Sequence, residues 1–175
     1  MPSKPRKVTP EGHATPSFLN HPLGSGQNHC FGCGPANPIG LRLRFRLDES
    51  SGSATAVARL NRRFEGPPGH VHGGILATLL DEAMGKVNKL FNRTAVTRHL
   101  TIEYLRPAPL NTPLTVTGRM VSHTGRKMFM EGEIRDAAGE LLVLGRALFI
   151  QVDANALLAR AAKRAAAAPA ARTSR

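Results

Sequence analysis

Residues 65–91 read EGPPGHVHGGILATLLDEAMGKVNKLF. The opening is a stiff loop: Pro67 and Pro68 fix φ, and Gly66 and Gly69 permit tight turns beside them. From about Gly74 to Phe91 the periodicity is helical. Ile75, Leu76, Leu79, Leu80, Ala83, Met84, Val87, Leu90 and Phe91 cover most of the circumference. An ordinary surface helix carries one apolar stripe. This one is apolar on most sides, as expected of a helix lying in the concave face of a sheet.

The flanking segments supply that sheet. Residues 41–47, LRLRFRL, alternate strictly and predict a half-buried strand, with Leu41, Leu43, Phe45 and Leu47 inward and three arginines outward. A second strand is expected over 53–60. Further β-rich segments at 95–106, 113–123, 127–135 and 141–151 are punctuated by Pro107, Pro109, Pro113, Gly125 and Gly139. The order β-β-α-β-β-β-β predicts the α+β class: one long central helix wrapped by a mostly antiparallel sheet of five to six strands. A length of 175 residues suits one domain. We place it at 21–151, between a Pro/Thr/Ser-rich N-terminal tail (1–20) and an Ala/Arg-rich helix or disordered tail (152–175).

Composition excludes several classes. A hydrophobic content of 41% can bury a core, which rules out a wholly disordered basic tail protein. No apolar run approaches the roughly 18 residues of a membrane span. The first residues lack the apolar stretch of a secretory signal, and two cysteines three apart make no disulfide framework, so a reducing, cytoplasmic setting is expected. The net charge is +12, but half of the excess sits on the ends, leaving +6 between residues 21 and 150. With 5% aromatics, no Trp and no helix-turn-helix or finger signature, no specific nucleic-acid partner is expected. The tails could still hold any polyanion weakly. Arg42, Arg44 and Arg46 form either a solvated strand face or a stripe that attracts an anionic ligand.

Asp81 and Glu82 are neighbours in sequence but about 100° apart on a helix. Glu82, with Lys86 at i+4 and Lys89 beyond, reads as part of a solvated, ion-paired face. Asp81 has no local cation and is flanked by Ala77, Thr78, Met84 and Gly85. A carboxylate there is costly to bury without a purpose or a partner. Upstream, Gly73 and Gly74 leave backbone N–H groups unobstructed at a helix start, where such donors have no internal partner and the macrodipole is positive. Such a site can hold a carbonyl oxygen as it gains charge. Asp81 lies two turns along, about 12 Å from Gly73 by helix rise. Shared chemistry therefore asks for a symmetric dimer, in which one protomer's helix start approaches its partner's acid.

His72-Gly73-Gly74, Asp81 nine residues after His72 and Thr97 sixteen beyond Asp81 resemble the hotdog-fold acyl-coenzyme A thioesterases, closest to the PaaI-like branch and the mammalian thioesterase superfamily members. The resemblance is carried by EGPPGHVHGGILATLLDEAMG (65–85), TRHLTIEYLRPAP (97–109), GRKMFMEGEI (125–134) and CFGCGPANPIGL (30–41). It spans about residues 30–151. It implies a hotdog fold, assembly as a homodimer or dimer of dimers, acyl-CoA as substrate and no cofactor. Carried over, Asp81 is the general base or nucleophile. The Gly73 N–H polarises the thioester carbonyl, with Gly74 beside it on the substrate side. His72 positions the substrate, and Thr97 holds Asp81 or the water. Arg106, Arg126 and Lys127 contact the nucleotide end of CoA. Many relatives place Asn or Gln six residues before the motif histidine; here that residue is Gly66, which shifts weight onto Gly73 and His72.

Rival constellations are thinner. No G-x-S-x-G occurs, and GSGQNH (24–29) is not a dinucleotide fingerprint. Cys30-x-x-Cys33 with His21 and His29 could bind zinc, but no second pair follows at finger spacing, so the reading is a loop with buried thiols and no metal. His70 reads as a loop residue near the mouth of the site. Two other functions stay open: a non-catalytic hotdog protein that binds acyl-CoA as a sensor, and a polyanion-binding accessory protein.

Overall fold

A computed structural model describes residues 28–167. The strands are β1 (Arg46–Asp48), β2 (Ser53–Arg59), β3 (Ala95–Tyr104), β4 (Pro113–Thr124), β5 (Lys127–Arg135) and β6 (Leu141–Gln151). The helices are α1 (Gly73–Val87) and α2 (Ala154–Ala167). The strands form one antiparallel sheet in the order β1-β2-β4-β5-β6-β3, so β3 crosses over to the far edge. The predicted α+β architecture is the observed one. Among the described residues no helix is long and apolar enough to cross a membrane.

Helix α1 lies in the hollow of this sheet and buries Leu76, Leu79, Leu80, Ala83, Met84 and Val87. What lets it sit so deep is a row of small residues across the sheet. Ala54, Gly118, Gly132 and Gly145 are register partners in turn on β2, β4, β5 and β6. A Cβ at Gly118 would come within 2.6 Å of the Ala83 carbonyl carbon and the Met84 nitrogen. Glycine inside a strand marks such a backbone approach. Leu114, Val116, Met130, Ile134, Val143 and Phe149 complete the core around the helix. The opposite sheet face carries a charge ladder: Arg119 to Glu131 at 2.6 Å, then Glu131 to Arg146 at 3.5 Å and Arg146 to Glu103 at 3.1 Å.

Two boundaries differ from expectation. The strand predicted over 41–47 shrinks to Arg46–Asp48. Arg42 takes a left-handed φ of 50°, and the N–H groups of Leu41 and Leu43 donate to the Phe31 and Gly32 carbonyls instead of to a neighbouring strand. Leu43 is still buried and the three arginines exposed, whereas Leu47 is exposed as well. The helix predicted to reach Phe91 leaves α geometry after Val87, continues as a 3-10 turn over Asn88–Phe91 and stops at Asn92, whose φ is 49°. Asn tolerates that conformation better than most residues. Helix α2 falls in the Ala/Arg-rich segment. The N-terminal tail expected at 1–20, and residues 168–175 of the C-terminal one, lie outside the described residues.

Candidate active site

The start of α1 is tightly framed. His72 is the N-cap, with φ −62° and ψ 135°, and its Nδ1 accepts from the Gly74 N–H at 2.9 Å. That bond places the proton of a neutral ring on Nε2. The preceding loop is self-braced: the Gly66 N–H donates to the His70 carbonyl, and a Glu65 carboxylate oxygen accepts from the Gly69 N–H at 2.7 Å. The Gly69 amide, aided by the charge of Arg62, holds the Glu65 carboxyl below its ordinary range. His70 turns its Nδ1 onto the Pro68 carbonyl, 2.9 Å away, within this loop. Among the described residues the Gly73 N–H has no partner. The Gly73 carbonyl does: the Tyr104 hydroxyl donates to it at 3.0 Å, and the Tyr104 ring lies in contact range of where a Gly73 Cβ would be.

Two turns along α1, Asp81 is half-buried and accepts a 2.6 Å hydrogen bond from the Thr97 hydroxyl. This contact depends on a bulge. Thr97 pairs with Phe149 and His99 with Leu148, so Arg98 is the extra residue. From there Leu100, Ile102 and Tyr104 alternate onto the helix side. Without the bulge, Thr97 and Tyr104, seven apart, would face opposite ways. Bulges re-aim side chains in this manner. Strand β3 thus grips α1 at both ends, with Thr97 on Asp81 and Tyr104 on Gly73. Tyr104 escaped sequence reading because the bulge is invisible to strict alternation.

Asp81 and Thr97 open onto a cleft of about 280 Å3 that Cys30, Cys33, Glu82, Lys86, Asn88 and Phe149 also line. Asn88 is buried, and its Oδ1 has no partner among the described residues. A donor on a bound molecule would satisfy it. Glu82 and Lys86 do not form the solvated face expected of them. Loop 28–43 covers them, leaving side-chain exposures of 18% and 12%. Cys30 Sγ donates to Glu82 Oε1 at 3.2 Å, and Lys86 Nζ lies 2.9 Å from Cys33 Sγ. Burial pushes the Cys33 thiol up to about 12, against the opposing pull of the Lys86 bond. Burial, with the charge of Lys86, also lowers Lys89.

The basic residues assigned to CoA do not converge within one chain. Arg106 follows β3 at its Tyr104 end and is paired with Glu140 at 2.6 Å. Arg126 and Lys127 lie at the β4–β5 turn, where Arg126 Nε donates to the Gln151 carbonyl at 3.0 Å. Gln151 pairs with Ala95 at the start of β3, so this pair lies near the Thr97 end.

Residues 68–143 match the family described as the thioesterase superfamily. The acyl-coenzyme A thioesterase THEM4 of Xenopus laevis is 34% identical over 89 residues, which cover 50% of this chain and 40% of that protein. The chain therefore spans less than half the length of that relative. A solved thioesterase superfamily protein superposes with a TM-score of 0.66 at 38% identity, over 70% of this chain and 60% of that one. The PaaI protein of the E. coli phenylacetic acid degradation operon superposes with a TM-score of 0.60 at 21% identity, over 65% and 81%. With its helix wrapped by a single antiparallel sheet, the chain has the fold of these solved thioesterase proteins, and its residues 68–143 carry the match to that family.

Proposed function

We propose that this protein hydrolyses acyl-coenzyme A thioesters to the free acid and CoA. The observation that carries the reading is the Thr97-held Asp81 carboxylate lining a cleft. The unpartnered Gly73 N–H at the positive end of α1 supplies the second requirement, a donor for the carbonyl oxygen. His72, capped onto Gly74, borders that donor and is exposed to an incoming substrate. Acting as base, Asp81 takes a proton from water as the water oxygen adds to the carbonyl. The oxyanion rests on the Gly73 N–H until the C–S bond breaks and the CoA thiolate leaves, taking up the proton that Asp81 accepted from water. Acting as nucleophile, the carboxylate itself adds, the C–S bond breaks to release the CoA thiolate, and water then opens the mixed acyl–Asp81 anhydride to the free acid and the carboxylate. Hydrolysis in oxygen-labelled water under single turnover tests the second route, because label enters Asp81 only when water opens an anhydride at the Asp81 carbonyl carbon.

The two halves lie too far apart in one protomer, about 12 Å along α1. Strand β3 offers the remedy. It is a ten-residue edge strand with no outer neighbour among the described residues and with Val96 and Tyr104 exposed. Long open edges invite pairing. An antiparallel pairing of β3 with a second copy, about its own middle, brings each Thr97 end beside the partner copy's Tyr104 end. Each acid then faces the other helix start, and Arg106 joins the Arg126–Lys127 end as one anion-binding rim for the nucleotide of CoA. Val57, Val121 and Phe129, exposed on the outer sheet face, fit further association into a dimer of dimers.

The test is an acyl-CoA panel with wild type and Asp81→Asn. We expect turnover by wild type and a loss of 10²–10⁴-fold (order of magnitude) in the variant, the range of a positioned general base. Saturable binding without turnover identifies a sensor instead. Binding that collapses with salt and with removal of residues 151–175 identifies a polyanion-binding protein.

A further inference from the structure

One built cluster lines the same cleft as Asp81 and has no role in the proposed mechanism. We propose that Cys30, Cys33 and Glu82 bind a single borderline-soft divalent cation, zinc foremost, which clamps loop 28–43 onto α1. The ligand atoms of the three side chains lie within 4.8 Å of one another, with Cys30 Sγ 3.2 Å from Glu82 Oε1. A tetrahedral zinc site with metal–sulfur bonds of about 2.3 Å and metal–oxygen bonds of about 2.1 Å needs donor separations of about 3.6–3.8 Å, about 1 Å inside that limit and within reach of side-chain rotation. Two thiols and one carboxylate favour zinc over calcium or magnesium, which prefer all-oxygen sets.

The loop is shaped for this arrangement before any ion arrives. The Gly34 N–H donates to the Cys30 carbonyl at 2.8 Å and the Cys30 N–H to Asn28 Oδ1 at 2.9 Å, closing the turn that presents both sulfurs. A Cβ at Gly32 would collide with the Glu82 side chain, so only glycine lets the carboxylate rise between the cysteines. Charge also closes. A divalent cation with two thiolates and a carboxylate carries one net negative charge. Lys86, 2.9 Å from Cys33 Sγ and 3.8 Å from Glu82, supplies the compensating positive one as an outer-shell donor. Binding releases the two thiol protons. Three protein donors leave the fourth position to water, as in open zinc sites. Sequence spacing alone searched for the missing ligand among nearby histidines; the fold brings it from α1, 49 residues beyond Cys33.

The experiment titrates cobalt(II) into the reduced full-length chain under argon. We expect a thiolate-to-cobalt charge-transfer band with tetrahedral d–d bands, saturating at one ion per chain and bleached by zinc. Cys30→Ser and Cys33→Ser each lose intensity in the charge-transfer band. Glu82→Gln weakens cobalt binding by about 10-fold or more, at least the effect of losing an outer-shell partner. His29→Ala leaves the spectrum and the affinity unchanged. A reduced wild type that shows no charge-transfer band overturns the proposal, including the case where the two thiols form a disulfide on isolation. So does full affinity in Glu82→Gln, or loss of the band in His29→Ala.

Discussion

Asp81 and Glu82 differ by one position and end in different chemistry. Helix geometry alone separates them by about 100°, and the residues that arrive from elsewhere decide the rest. Glu82 meets a cysteine loop and Lys86; Asp81 meets one hydroxyl, from Thr97. On the proposed mechanism, that hydroxyl fixes which carboxylate oxygen is left to act. Thr97→Val keeps the volume and removes the donor. A hydrogen bond to a charged group contributes about 1.5–3 kcal/mol; if that energy also positions the acid in the transition state, kcat/KM should fall roughly 10- to 100-fold. Steady-state kinetics checks this, and an unchanged kcat/KM would leave Thr97 without a role. The Asp81–Thr97 pairing could be suggested from spacing, through the resemblance. Asn88 and Tyr104 could not, because an orphaned acceptor and a bond to a backbone carbonyl leave no trace in residue order.

At the scale of elements, the reading succeeded where one signal dominated. The all-round apolar pattern of residues 74–91 allowed only a buried helix, and β-rich composition punctuated by Gly and Pro gave the bounds of β4 to β6 within a residue or two. It failed where the backbone departs from repeat. Residues 41–45 alternate like a strand, yet the left-handed Arg42 turns their amides toward the cysteine loop. The glycine row under α1 was legible one glycine at a time, as Thr-Gly-Arg, Glu-Gly-Glu and Leu-Gly-Arg inside three strands. Its meaning needs the register that aligns them. Gly118→Ala tests that meaning. The added methyl meets α1 backbone at 2.6 Å, which no rotamer change relieves. Overpacking of this kind costs about 1–3 kcal/mol. Chemical denaturation should show that loss, whereas the same change at Gly139, with nothing near its Cβ and a φ of 83°, tests backbone strain alone. The absence of any loss at Gly118 would remove the close-approach explanation.

For the whole molecule, the decisive matter is whether Asp81 and Gly73 of one chain serve the same site. The helix places them two turns apart, and the open edge of β3 offers a partner whose ends are reversed. On the proposed mechanism, length constrains chemistry: a single unit of this size carries both halves of the machinery and needs a second copy to bring them together. Gly73→Pro removes the N–H while suiting the helix. Proline is favoured at the first helical position, and His72 already has the extended ψ of 135° that a following proline requires. Alone, Gly73→Pro and Asp81→Asn should each be nearly inactive. Unfolded together and refolded as an equal mixture, they should recover about a quarter of wild-type activity, because half of the dimers are mixed and each mixed dimer has one intact composite site. Sites built within single chains would leave the mixture no better than its parents, and such a result would reject the β3-paired dimer as the catalytic unit.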